Sequence, residues 1–284
     1  MDKPLKNGWE EVGCILCGVQ AQQKVVWQDI EHSKILRCSH CGLVFRSPRP
    51  CEGEITQVFK EEWTEVRQAF YLEDFREKIL KRIMKWILNR HPTPGAILDI
   101  GSSYGNFLAQ FPATWRRIGI EPSNLACQVA RKKLPEALII NSTLAKATLP
   151  RETFDFITII DAVYFLSQPL RDLARLPGLL KPEGALLVES FNFANRGPVY
   201  RWMGHAFGET FLYFYTPTTL EKILGKIGMR VINRIDLPGH QIGSRKILSR
   251  AMTWAEFAIT KATQKISKGK IDFVPHFVLV CHQI

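Results

Sequence analysis

The chain has 284 residues, 46% of them hydrophobic and 23% charged, enough for one large globular domain with a small appendage. No apolar run approaches the ~18 residues that span a bilayer, and Met1-Asp2-Lys3-Pro4 lacks the basic-then-apolar start of a secretion signal, so neither class is expected and a cytoplasmic setting is. The net charge of +11 suits attraction to nucleic acid, anionic lipid or an acidic substrate, but Lys and Arg are spread over most of the chain and serve solubility equally well.

In chain order, the first motif is Cys14-x2-Cys17, followed after twenty residues by Cys38-x2-Cys41. In a reducing compartment such pairs read as metal ligands or redox groups before disulfides. Each pair suits a tight knuckle aiming two sulfurs at one ion. Two knuckles close a tetrahedral structural zinc site with no open position for water or substrate, which argues against a catalytic zinc. Gly18 and Gly42 follow the second cysteine of each pair, where a knuckle needs a flexible backbone. Lys24-Val25-Val26-Trp27 and Lys34-Ile35-Leu36-Arg37 read as short strands. Residues 1–52 are therefore expected to form a zinc ribbon whose folding energy comes largely from the metal. Cys51, Cys127 and Cys281 lie outside the pattern and read as ordinary buried or surface residues.

From about Val66 to Arg90 the pattern turns helical, with Phe75, Ile79, Ile83 and Ile87 at spacing four. His91-Pro92-Thr93-Pro94-Gly95 breaks it. Residues 53–92 read as a linking helical segment, in which Tyr71 and Arg76 take core or solvent roles or reach a ligand.

Ala96-Ile97-Leu98-Asp99-Ile100-Gly101 is a short apolar run, expected as a buried parallel strand. Ser102-Ser103-Tyr104-Gly105 completes a Gly-x-x-x-Gly turn that brings bare backbone near a ligand above the strand's carboxyl end. The turn is neither the dinucleotide Gly-x-Gly-x-x-Gly nor a P-loop, because Ser103 occupies the middle position and no Gly-Lys-Ser/Thr follows. A second strand, Arg117-Ile118-Gly119-Ile120, ends at Glu121, 22 residues after Asp99. That spacing matches a strand-helix-strand unit whose terminal acid accepts hydrogen bonds from both ribose hydroxyls. Pro122-Ser123 opens the next helix, with Ser123 as N-cap.

Residues 97–105 resemble the glycine-rich motif of class I S-adenosylmethionine (SAM)-dependent methyltransferases, and Gly119-Ile120-Glu121-Pro122-Ser123 resembles their ribose-binding motif. Residues 154–161 and 180–189 are similar to the fourth strand and the turn into the fifth. The stretch from Arg37 to Pro50 resembles the zinc ribbon that precedes this domain in a bacterial subgroup, and residues 211–220 that subgroup's aromatic segment. The resemblance implies an α/β, Rossmann-like, seven-stranded doubly wound sheet ending in an antiparallel hairpin, over residues 93–284. Met229 to Leu237 and Phe273 to His282 read as that hairpin's strands. It implies SAM contacts at Asp99, Gly101, Ser102, Ser103, Tyr104 and Gly105, at Glu121 and Pro122, at Ser142 and Thr143 by the adenine, and at Asp161 and Ala162 by the sulfonium. Many members have an acid beside the adenine, and this chain has Asn141-Ser142-Thr143 there.

The subgroup's bases are replaced too: Tyr164-Phe165 stands where a Glu-His pair is usual, and Phe211 where the aromatic segment begins with His. His205, Tyr164 and Tyr213 are the substitute base candidates, with Glu189 a further residue for the pocket; packed roles are the alternative for each. Residues 194–220, with Arg196, Arg201 and Trp202, read as a substrate lid. Residues 238–270 read as a basic helical excursion in which Ile247, Ala251, Trp254, Ala258 and Ala262 form an apolar stripe that packs on its own domain or a second subunit, or rests on anionic lipid. The leading expectation is methyl transfer to a small-molecule acceptor: a sugar, a sugar nucleotide or another biosynthetic intermediate. The rivals are an RNA methyltransferase, against which the chain lacks an Asn/Asp-Pro-Pro-Tyr/Phe motif and a basic stripe on the ribbon, and a non-catalytic SAM-binding scaffold.

Overall fold

A computed structural model describes residues 7–19, 22–61, 74–194, 207–238, 246–267, 272 and 274–284. His205, Tyr71, Arg196, Arg201 and Trp202 lie outside the described residues. The chain begins with β1 (Trp9–Glu10), β2 (Gln23–Ile30), β3 (Ser33–Cys38), β4 (Val44–Ser47) and β5 (Arg49–Pro50), then α1 (Glu52–Glu61) and α2 (Asp74–Arg90). The central domain follows as β6 (Ala96–Ile100), β7 (Arg116–Glu121), α3 (Asn124–Lys133), β8 (Leu138–Asn141), β9 (Phe154–Ile159), α4 (Pro169–Leu173) and β10 (Leu180–Phe191). It ends with β11 (Tyr213–Phe214), α5 (Pro217–Lys226), β12 (Met229–Leu237), α6 (Lys246–Ile266) and β13 (His276–Gln283).

The main sheet has seven strands in the order β12-β13-β10-β9-β6-β7-β8. Strands β10, β9, β6, β7 and β8 run parallel, and β13 is antiparallel to both β10 and β12. This is the Rossmann-like sheet with a terminal hairpin. β6 is buried along its whole length, as a central parallel strand covered on both faces must be. Its residues alternate between two cores: Leu98 and Ile100 feed one face, while Ile97 joins Ile83 and Ile87 of α2 on the other. The apolar spacing seen between 79 and 87 is thus the contact stripe of α2.

Local signals set the helix starts. Ser123 caps α3 by accepting from the Ala126 amide at 3.2 Å. Thr216 and Thr219 form a reciprocal capping box at α5, with Pro217 in its first turn.

The ribbon strands lie in the residues expected, but their sheet has a fourth member from far along the chain. β11 pairs antiparallel with β4, Tyr213 opposite Phe45 and Phe214 opposite Val44, giving the order β11-β4-β3-β2. Tyr213 and Phe214, within segment 194–220, are therefore part of the ribbon's sheet. Arg46 is the buried hub of this junction. Its guanidinium forks onto both Asp29 carboxylate oxygens (2.8 and 2.9 Å) and donates to the Phe211 carbonyl (2.9 Å), while Asp29 also accepts from the Phe207 amide (2.9 Å). One apolar cluster runs unbroken from Cys14, Ile35 and Phe45 through Phe207 and Leu212 to Ile100 and Ile159.

Candidate functional site

The parallel strands reverse their order of filling between β6 and β9, and a ligand crevice forms outside the carboxyl ends of strands at such a point. A cleft open to solvent lies there. Ten of the twelve residues expected to touch SAM line it: Asp99, Gly101, Ser102, Ser103, Glu121, Pro122, Ser142, Thr143, Asp161 and Ala162.

The turn after β6 is stitched to the end of β7. The amides of Gly101 and Ser102 both donate to the Ile120 carbonyl. Glu121, 2% exposed, accepts from the Ser103 amide through one oxygen (2.9 Å) and from the Ser123 amide through the other (2.8 Å). Gly101 sits at φ +74°, and a Cβ there would lie 2.8 Å from that of Ala162, so only glycine fits. The Ser102 and Ser103 hydroxyls are buried without a hydrogen-bond partner among the described residues. Buried polar groups are rarely left so unless a ligand or water completes them.

Burial pushes the Glu121 carboxyl up to about 7, against the pull of its two amide donors. Asp99 is likewise raised to about 7 by burial, and the neighbouring Glu121 charge adds to this, although Thr158 donates to it at 2.7 Å. Every charged side chain among the described lining residues is a carboxylate: Glu52, Asp99, Glu121, Asp161 and Asp172. Such a cleft favours a ligand of net positive charge.

Two expected contacts point elsewhere. Tyr104 is buried and packs on Ala126 of α3. A Cβ at Gly105 would lie 2.9 Å from Leu134 and 3.3 Å from Ala130, so this glycine serves helix packing.

Asp161, after β9, holds a left-handed φ of +53°. Its amide donates to Glu189 (2.8 Å), and its carboxylate accepts from the Tyr164 hydroxyl (3.0 Å). Glu189 in turn pairs with His276 Nδ1 at 2.8 Å. Glu189 and His276 are buried and lie behind the cleft wall. Tyr164 stacks on Phe211, rings 4.9 Å apart and 10° from parallel, and is outside the lining. Tyr213 is further removed: its hydroxyl accepts from Arg49 (2.8 Å) and donates to the Ser167 carbonyl (3.4 Å), at the ribbon junction. The third base candidate, His205, falls outside the described residues.

The N-terminal segment completes the cleft, which the sequence did not indicate. Ile55, Thr56 and Phe59 of α1 form one wall, with Phe59 edge-on to Phe165 at 5.1 Å. Arg171 forks onto Glu52 at the start of α1 (2.8 and 3.0 Å). Arg49, just ahead of α1, donates to the carbonyl of Ser167, itself a lining residue.

The four cysteines converge at the far end of the ribbon. Cys14 and Cys41 sulfurs lie 3.3 Å apart and those of Cys17 and Cys38 3.5 Å, and all four fall within 4.8 Å of one another. These spacings exceed the ~2.05 Å of a disulfide and suit four thiolates around one zinc. The two knuckles match: Gly18 donates to the Cys14 carbonyl and Gly42 to that of Cys38, both glycines at positive φ. At Cys38, burial raises the thiol, but the amides of Cys41 and His40 outweigh it and bring it down to about 7.

The fold and cleft define a Rossmann-like α/β protein with a ligand-sized cleft at the carboxyl ends of β6 and β7. The methyltransferase domain family matches residues 71–233, more than half of the chain, and the chain belongs to that family. A ubiquinone biosynthesis O-methyltransferase of Rhodopseudomonas palustris (strain BisB5) is 29% identical over 171 residues, 55% of this chain and 66% of that protein, just under two thirds of its length. Among solved structures, a SAM-dependent methyltransferase of Thermotoga maritima, described as a possible histamine N-methyltransferase, aligns at TM-score 0.54 and 19% identity over 81% of this chain and 99% of its own. The magnesium protoporphyrin IX methyltransferase of Synechocystis PCC 6803 with bound SAH aligns at TM-score 0.57 and 14% identity, over 82% and 100%. Both share the fold.

Proposed function

We propose that the chain transfers a methyl group from SAM to a hydroxyl of a small-molecule acceptor. The observation that carries this reading is the cradle of Gly101, Ser103 and Glu121, in which bare backbone and a buried carboxylate face one cleft. In it, Glu121 receives the ribose hydroxyls, while Ser142 and Thr143 flank the base. Bound SAM supplies the electrophilic methyl carbon, so the protein mainly positions the reactants and excludes water.

Asp161 is the proton acceptor in this proposal. Asp161 stands at the carboxyl end of β9, its backbone held by Glu189 and its carboxylate by Tyr164. It takes the proton as the acceptor oxygen bonds to the methyl carbon and the carbon–sulfur bond breaks. The hydroxyl assignment draws on the O-methyltransferase from R. palustris. The four cysteines hold a structural zinc in the same proposal.

Incubation with methyl-labelled SAM and a panel of hydroxylated small molecules tests it. Label should enter a small molecule, and Asp161→Asn should slow transfer roughly 10²-fold, the scale of a lost general base. Label entering only ribonuclease-sensitive material, or SAM bound with no transfer to any acceptor, would overturn it.

A further inference from the structure

Behind Asp161 runs a chain of buried polar contacts that reaches the terminal hairpin. It starts at His276, the first residue of β13, whose Nδ1 lies 2.8 Å from one oxygen of Glu189 on β10. The other Glu189 oxygen accepts from the Asp161 amide at 2.8 Å. The Asp161 carboxylate accepts from the Tyr164 hydroxyl at 3.0 Å, and the Tyr164 carbonyl accepts from the Leu212 amide at 3.0 Å. Asp161, Tyr164, Glu189 and His276 are all buried.

Stability alone does not account for a carboxylate at position 189. Taking a carboxylate and an imidazole out of water costs free energy, and a well-packed apolar pair of similar volume is often as stable or more so. The position that the pair grips is more telling. Asp161 has a φ of +53°, a left-handed conformation that residues other than glycine keep only where their surroundings over-determine it. Its neighbour Ala162 lies so close to the glycine turn that a Cβ on Gly101 would come within 2.8 Å of its own. Gly101, Asp161 and Ala162 all line the cleft. The turn after β9 and the turn after β6 therefore abut, and a shift of the first is felt by the second.

We infer that Glu189 is a positioning residue for the cofactor. Steadied by His276, it fixes the Asp161–Ala162 turn against the glycine turn that receives SAM. Glu189 acts from behind the wall and does not itself line the cleft. This role presupposes the SAM site proposed above and is independent of which group takes the acceptor's proton.

The test is calorimetric titration of SAM and S-adenosylhomocysteine into the full, zinc-loaded chain and its variants, with the melting temperature of each. Glu189→Leu fills similar space without accepting a hydrogen bond and should bind both ligands roughly tenfold more weakly, the scale of a buried donor left without its partner. Glu189→Gln should bind within about twofold of the wild type, because its carbonyl oxygen still accepts from the Asp161 amide and its amide group still meets His276. A glycine adopts the left-handed conformation without support. In an Asp161→Gly background, Glu189→Leu should therefore change affinity by less than about twofold, so that the two losses fail to add. Should Glu189→Leu not fold, Glu189→Asp, one carbon too short to reach both the Asp161 amide and His276, takes its place with the same expectation in both backgrounds. A role confined to core stability would leave affinity unchanged, or would add its loss in full to that of Asp161→Gly. Either result, or a Gln variant as weak as the Leu variant, would overturn the positioning role while wild-type binding stands. A wild type that binds neither ligand would remove the SAM site itself, and this role with it.

Discussion

Glu121 and Asp99 are two buried carboxyls that both titrate near 7, and this gives ligand binding a proton signature. Below that value a growing fraction of the free protein holds a proton there. A ribose that needs the Glu121 carboxylate must expel it. SAM affinity should therefore fall as pH drops from 8 through 7 to 6, with proton release on binding that calorimetry in buffers of different ionisation enthalpy detects; Glu121→Gln should flatten the dependence. The sign for stability is the reverse. A carboxyl raised above its unfolded value of about 4 makes the ligand-free protein less stable as pH rises from there towards 7. Glu121 was legible in the sequence, because a 22-residue spacing from Asp99 and a strand ending in an acid leave few other roles. His276 was not. It is 87 residues from its partner Glu189, and a lone histidine at a strand start carries no local signal. Tyr104 and Gly105 sit inside a legible motif, yet pack against α3 and its C-cap.

Among the elements, α1 and β11 decide how the ribbon relates to the cleft. Strands and knuckles of the ribbon could be read from cysteine spacing and apolar runs. That β11 closes its sheet could not, since two residues of strand have no period and the partner is about 165 residues away, as the Arg46–Phe211 bond shows. Burial alone would raise the Asp29 carboxyl, but the Arg46 guanidinium prevails and holds it below the usual range. The stability this pair gives is present above the unfolded value and is lost as pH falls through the depressed folded one. Arg46→Ala strands a buried carboxylate and should cost about 3–5 kcal/mol in denaturant unfolding at neutral pH. The deficit should shrink in acid, where Asp29 is protonated. The proposed zinc acts on the same element. Because α1 follows β5 directly and walls the cleft, chelation should lower the melting temperature and weaken S-adenosylhomocysteine binding together, both restored by zinc. If the metal leaves and affinity is unchanged, the ribbon and the cleft are independent.

At the scale of the whole molecule, one sheet carries the argument. β6, β7 and the two hairpin strands were legible as apolar runs, and β9 and β10 through the family resemblance; β8 was not, because its four residues are half exposed and carry no continuous buried run. Nor was the direction in which α6 faces: Ala258 and Ala262 of the expected stripe are exposed, because a sequence stripe defines an apolar face without saying what covers it. The central claim is that the cleft at the β6–β7 turn binds SAM through Glu121. The most direct measurement is calorimetric titration of SAM and S-adenosylhomocysteine into the wild type and Glu121→Ala. The account predicts that the wild type binds both and that the variant binds each about 1–3 kcal/mol more weakly, the cost of partners left unpaired. A folded, zinc-loaded wild type that binds neither, or a variant that binds as well as the wild type, would contradict it.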